Sequence, residues 1–178
     1  VLDVMARARL LLVFAAVFSA AVGEPEQCRN IDHACAPFYQ DCLEAWKPCG
    51  SDGYALEYGL RYCERFTDLH NETILSPEGQ DWILSTRACL QDTLRPLTRG
   101  DPSDLTCARL RSLAFDSHPR CYTGGGGAAP LPHTPSVCLL PFSDVERIAG
   151  VVDRADLLTP EGLEQEAAIA RICVEQRL

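Results

Sequence analysis

The chain has 178 residues, 47% of them apolar and 7% aromatic, and carries a formal charge of −9 at neutral pH. That length suits one domain with a core of its own, and the scarcity of aromatics points to a core of Leu, Ile, Val and Ala, the stock of packed helices rather than of a β-sandwich. The acidity and the lack of a basic run exclude nucleic-acid binding, which needs clustered Lys and Arg to displace counterions.

Met5, the only methionine, precedes Arg7 and Arg9 and then an apolar run from Leu10 to Val22. A basic start, a short apolar stretch and the small-x-small triplet Ala21-Val22-Gly23 read as a signal peptide. The run is shorter than the roughly 20 residues a bilayer-spanning helix requires. Residues 1–23 are thus expected to be the signal peptide, with 1–4 upstream of the true start, and 24–178 the mature domain, secreted and with no membrane span.

The remainder reads as helices with explicit start and stop signals. Over about 34–47, Phe38, Cys42 and Ala45 recur at helical spacing until Pro48-Cys49-Gly50 ends the segment. A second helix follows Ser51-Asp52-Gly53, with Leu56, Leu60 and Cys63 on one face and Tyr54, Glu57, Tyr58 and Arg61 around it. Tyr54, Tyr58 and Trp46 are either interface anchors or core. Ser76-Pro77-Glu78 combines an N-cap, a first-turn proline and a first-turn acid, and opens a helix on which Ile83, Leu90 and Leu94 align beside Cys89 until Pro96.

Asp101-Pro102 is expected to open a helix carrying Leu105, Cys107, Leu110, Leu113 and Ala114 to about Ser117, where His118-Pro119 breaks it. Residues 123–136, rich in Gly and Pro, read as a flexible loop. They contain a run of four glycines but lack the Gly-Lys-Ser/Thr of a phosphate-cradling loop. Ser143 with Glu146 suggests a capping box for a helix bearing Val145, Ile148, Ala149 and Val152. Thr159-Pro160-Glu161 opens the last helix, with Leu163, Ala167, Ala170 and Val174 on one side and Ile169, Ile172 and Cys173 adjoining.

Ten cysteines, Cys28, Cys35, Cys42, Cys49, Cys63, Cys89, Cys107, Cys121, Cys138 and Cys173, follow the signal peptide. An even number in an oxidising compartment predicts five intrachain disulfides. A structural zinc site wants close Cys-x-x-Cys pairs kept reduced, and none occurs, so no metal ligand is assigned. The predicted fold is therefore a compact, all-α, disulfide-stapled helical domain.

Catalytic chemistry has one place to reside, Asp116-Ser117-His118-Pro119. Secreted phospholipases A2 set a His directly before an Asp on a helix, so that imidazole activates water while carboxylate holds Ca²⁺. Here Pro119 follows the His, and no Gly-rich calcium loop or Asp-x-Asp-x-Asp-Gly loop is present. Nucleophile, base and orienter cannot all be named, so no catalytic residue, metal or cofactor is assigned and a non-enzymatic role is expected. Asn71-Glu72-Thr73 is an acceptor for N-linked sugar in a polar stretch before Ser76.

Cys42-Leu43-Glu44, Cys49, Asp52-Gly53-Tyr54 and Cys63 resemble the segment that opens the stanniocalcin core. The Pro77-Glu-Gly-Gln-Asp-Trp82-Ile83 start leading to Cys89, the helix after Cys107, Cys121-Tyr122, Val137-Cys138 and the helix before Cys173 are similar to later blocks of that family. The resemblance spans residues 28–175 and implies the pairs Cys28 with Cys42, Cys35 with Cys63, Cys49 with Cys107, Cys89 with Cys121, and Cys138 with Cys173. It also implies a secreted glycoprotein hormone of calcium and phosphate homeostasis, whose partner is a cell-surface receptor. An inhibitor of a secreted metalloprotease is the alternative, and a degenerate phospholipase-like or toxin-like scaffold a remote one. The family's extra cysteine, which links two subunits, has no counterpart before Leu178, so either any homodimer is non-covalent or the chain is truncated.

Overall fold

The computed structural model describes residues 23–29, 31–125 and 135–177, so the signal-peptide reading of residues 1–22 and most of the predicted loop lie outside them. The described residues form seven α-helices with shorter 3₁₀ and π-helical segments between them, and no strand. Helix α1 (Cys35–Phe38) runs on through wider π-helical turns at Tyr39–Glu44, and α2 (Arg61–Asn71) is preceded by a π-helical segment, Tyr54–Leu60. Then follow α3 (Pro77–Leu94), α4 (Cys107–Tyr122), α5 (Phe142–Val151), the short α6 (Arg154–Leu157) and α7 (Pro160–Gln176). Helix α3 packs on α4, α2 on both α3 and α5, and α7 on α4.

The π-helical turns explain why the first two faces differ from the simple helical reading. An extra residue per turn rotates the buried stripe, so Phe38, Tyr39, Cys42, Leu43 and Trp46 are buried while Ala45 is exposed. In the second segment Tyr54, Ala55 and Gly59 face inward, and Leu56 and Leu60 are only half-buried. Gly59 is needed there, because a Cβ at that position would overlap the Tyr39 ring. The composition-based expectation of an aliphatic core is corrected by the same geometry. All five tyrosines and both tryptophans are buried or half-buried, since broad rings span the gaps that short, wide-turned helices leave.

Helix α4 departs from prediction at both ends. Asp101-Pro102 starts only a short 3₁₀ turn, Pro102–Asp104, because Asp101 Oδ1 accepts from both the Ser103 N–H (2.8 Å) and its hydroxyl (2.6 Å). The chain is extended at Leu105, and Thr106 then caps α4 by accepting from the Arg109 N–H at 3.1 Å. At the other end the helix runs straight through His118-Pro119 to Tyr122. An interior proline costs about 3 kcal/mol or more through its missing N–H and ring clash. Burial of Phe115, His118 and Cys121 holds the turn, and the Ser117 and Thr123 hydroxyls donate to the Ala114 and Pro119 carbonyls on either side of it, each at 2.7 Å.

The five disulfides join Cys28 to Cys42, Cys35 to Cys63, Cys49 to Cys107, Cys89 to Cys121 and Cys138 to Cys173, the pairs the resemblance implies, with Cα–Cα separations from 4.8 to 5.7 Å. Such separations are those of ordinary disulfides. They clip the N-terminal hairpin together, α1 to α2, the loop after α1 to α4, α3 to α4, and the turn before α5 to the end of α7.

The predicted Ser143/Glu146 capping box does not form: both side chains are exposed, and Pro141 occupies the cap of α5 without a side-chain bond. Asp144 between them, 2% exposed, reaches across to α3 instead. Its carboxylate accepts from the Ser76 hydroxyl (2.5 Å) and N–H (3.2 Å), while Ser76 Oγ accepts from the Gly79 N–H (3.1 Å). Gly79 has no Cβ to collide with Asp144 Oδ2. Thr159 repeats the local cap on α7, accepting from the Gly162 N–H at 3.1 Å. Asp144→Ala is therefore expected to destabilise the fold by about 2–3 kcal/mol, as loss of a buried charged acceptor does, whereas Glu146→Ala stays within about 0.5 kcal/mol of wild type. Urea unfolding of the two variants distinguishes the cross-helix cap from the sequential one.

Candidate functional site

The residue singled out for chemistry, His118, is 1% exposed and sits inside α4 rather than in a turn. Tyr58, Phe115 and Tyr122 surround its ring at centroid distances of 5.8, 5.1 and 5.4 Å, the first and last stacked. Its Nδ1 lies 2.8 Å from Gln165 Oε1 on α7, and its Nε2 lies 3.3 Å from the Tyr54 hydroxyl. An amide oxygen only accepts, so Nδ1 carries the proton and Nε2 accepts from Tyr54. This neutral imidazole has both nitrogens engaged by side chains of the core. Asp116, two residues earlier and so on another side of the helix, is exposed and shares no hydrogen bond with it. The histidine and carboxylate are thus not brought together in the phospholipase manner.

Burial pushes His118 down to about 4, against the smaller upward pull of its Gln165 bond. An unfolded chain takes up that proton near the ordinary value of 6.5, and the folded chain only near 4. Folding stability is accordingly lost as the pH falls between those two values. Asp153 adds a separate loss at lower pH, because its bond with the Arg65 guanidinium holds its carboxyl below the usual range.

Asp153 belongs to a cluster that fastens α6 to α2. Arg61 and Tyr62 both bond Asp156, and Arg65 bonds Asp153 at 2.9 Å. Arg61 and Arg65 also lie over the Tyr62 ring, 4.7 and 5.4 Å from its centroid. These charges join α6 to α2.

The surface provides a different kind of site. Leu139 (68% exposed), Phe142 (81%) and Val174 (62%) lie close along the chain to the Cys138–Cys173 bond, with Leu158 and Leu163 also exposed near the start of α7. Large apolar groups held out on a crosslinked frame have the character of protein-binding anchors. Of the aromatic candidates, Trp46 and Tyr54 are core, 8% and 2% exposed, and Tyr58 is half-buried in the His118 stack. Helical periodicity does not single out Phe142, because it ranks residues by their place in a stripe; the sequence signal for it is the short apolar run Val137–Leu140 beside a half-cystine.

Asn71 is the last residue of α2, and Asn71, Glu72 and Thr73 are all exposed, with Thr73 at a positive φ of 54° in the turn to α3. Among the described residues no group of His, Cys, Asp and Glu is arranged to hold a metal, and no helix is long and apolar enough to cross a membrane. All ten cysteines are bonded, a pattern compatible with an extracellular compartment. No family model, curated protein or solved structure matches the chain.

Two outcomes are expected. Unfolding free energy in urea should drop by roughly 3 kcal/mol between pH 6.5 and 4, and His118→Gln should flatten that slope even if it lowers stability throughout. Protein secreted by animal cells should lose mass on treatment with an N-glycosidase, and Asn71→Gln should remove the shift.

Proposed function

We propose that this chain is a secreted glycoprotein hormone of the stanniocalcin kind, acting on calcium and phosphate homeostasis by docking a rigid helical surface on a cell-surface receptor. The observation that carries the reading is the disulfide set: five bonds pairing ten cysteines in the order the family resemblance implies. Two others support it. His118 is committed to packing, with both nitrogens bonded inside the core, and the conspicuous outward groups, Leu139 and Phe142, are apolar ones suited to protein contact. The crosslinks pre-organise that surface, so little ordering entropy is lost when a partner docks.

The test is binding of labelled, disulfide-intact protein to transporting epithelial cells, with calcium and phosphate flux as the readout. Wild-type protein should bind saturably and change flux, and Leu139→Ser/Phe142→Ser should weaken binding by about tenfold or more, the loss typical of apolar anchors, while leaving the circular dichroism and melting temperature intact. Absence of both saturable binding and flux change overturns the proposal. Recovery from extracellular fluid of a metalloprotease that has lost its activity, with no receptor, replaces it by the inhibitor reading.

A further inference from the structure

A crevice of about 330 Å³ opens between α5 and α7. Its floor is aromatic: Tyr58, Phe66, Trp82 and Tyr122. Trp82 stands edge-to-face with Phe66 (centroids 6.2 Å apart) and with Tyr122 (5.6 Å), and its indole N–H is already satisfied by the Tyr122 carbonyl at 2.9 Å. The sides are aliphatic, with Val145 and Ile148 from α5 and Ile169 from α7. Its size and mixed aromatic and aliphatic walls fall in the range of small-molecule sites.

Charge selects the occupant. The charged residues that line the crevice are Asp156 and Glu166, both acidic, and no Lys, Arg or His is among the residues that form it. Asp156 is matched by Arg61. Glu166, at the exposed rim, makes no ion pair among the described residues. Elsewhere the protein places its own cations over aromatic rings, Arg61 and Arg65 over Tyr62 and Arg111 over Phe115. Among the described residues no side-chain cation lies over Tyr58, Phe66, Trp82 or Tyr122. Neutral His118 covers one face each of Tyr58 and Tyr122; the remaining electron-rich surface of these half-buried rings and of Phe66, with a rim carboxylate, attracts a cation and repels an anion.

We propose that this crevice binds a small organic cation with an apolar body, an aryl-alkyl ammonium, its ammonium group held between the aromatic floor and Glu166. Neither Leu139 nor Phe142 lines the crevice, so the proposal does not depend on the hormone reading. Fluorescence titration of Trp46→Phe protein, in which Trp82 is the only tryptophan and is excited selectively at the red edge of its absorption, tests it with benzyltrimethylammonium, benzyl alcohol and phenylacetate. The cation should give a saturable change and bind at least about tenfold more tightly than the alcohol, in keeping with a desolvated cation–π contact, and phenylacetate should give none. Glu166→Gln should weaken the cation a few-fold and leave the alcohol unchanged. Ala149→Phe, a substitution at an exposed lining position, should block the cation without altering the circular dichroism. Should Trp46→Phe not fold, ligand-observed NMR on wild-type protein reads the same ranking. Tighter or equal binding of the alcohol or the phenylacetate, or no saturable response to the cation, overturns the proposal.

Discussion

The Cys89–Cys121 bond is the constraint around which the rest of the molecule is arranged. It ties the middle of α3 to the last turn of α4, with a Cα–Cα separation of 5.6 Å, immediately after the interior Pro119. A helix left to itself would end before that proline. Here the bond and the buried rings on either side keep α4 helical to Tyr122. That last turn carries Tyr122, whose ring closes one side of the His118 stack and whose carbonyl receives the Trp82 indole. Helix α4 thus touches both parts of the core, the one around Phe38 and Leu43 through Leu110 and Phe115 and the one around Trp82, Ile83 and Ile148 through Tyr122.

Polar groups inside this frame are used as fasteners. His118 pins α7 through Gln165, Asp144 pins the start of α3 to α5 through Ser76, and Asp153 with Asp156 pins α6 to α2. Each is a contact between elements far apart in sequence, and each is made by a side chain whose local surroundings suggest another role. Helix α7 needs such pins because only Gly162 of its residues is buried. The Cys138–Cys173 bond fastens its other end, with Gln176 and Arg177 bonded to Ser136, Thr123 and Cys138, and between these attachments the helix leaves the crevice over Trp82 and Tyr122.

The sequence is legible wherever local chemistry decides the outcome. Ser76-Pro77 and Thr159-Pro160 cap α3 and α7 as read, because a hydroxyl reaching an N–H three residues on needs no help from elsewhere. The misread places share one cause, a competing partner beyond the reach of a local window. Ser143 and Glu146 have capping-box spacing, yet Asp144 found Ser76 on another helix. Pro119 has the signature of a helix end, yet the crosslink and the aromatic stack override it. Ala45 fits a 3.6-residue stripe, yet π-helical turns rotate it into solvent and bring Trp46 inward.

By itself, then, the sequence determined the class of molecule: ten cysteines, helical stop and start signals and no strand pattern define an all-α, disulfide-stapled domain, since covalent chemistry and capping are properties of short segments. Only the tertiary structure decided what each polar and aromatic residue does. Whether His118 faces water or four aromatic rings, whether Tyr54 anchors a partner or fills the core, and whether an apolar crevice remains between α5 and α7 depend on which helices meet, and that is set by long-range packing and crosslinks.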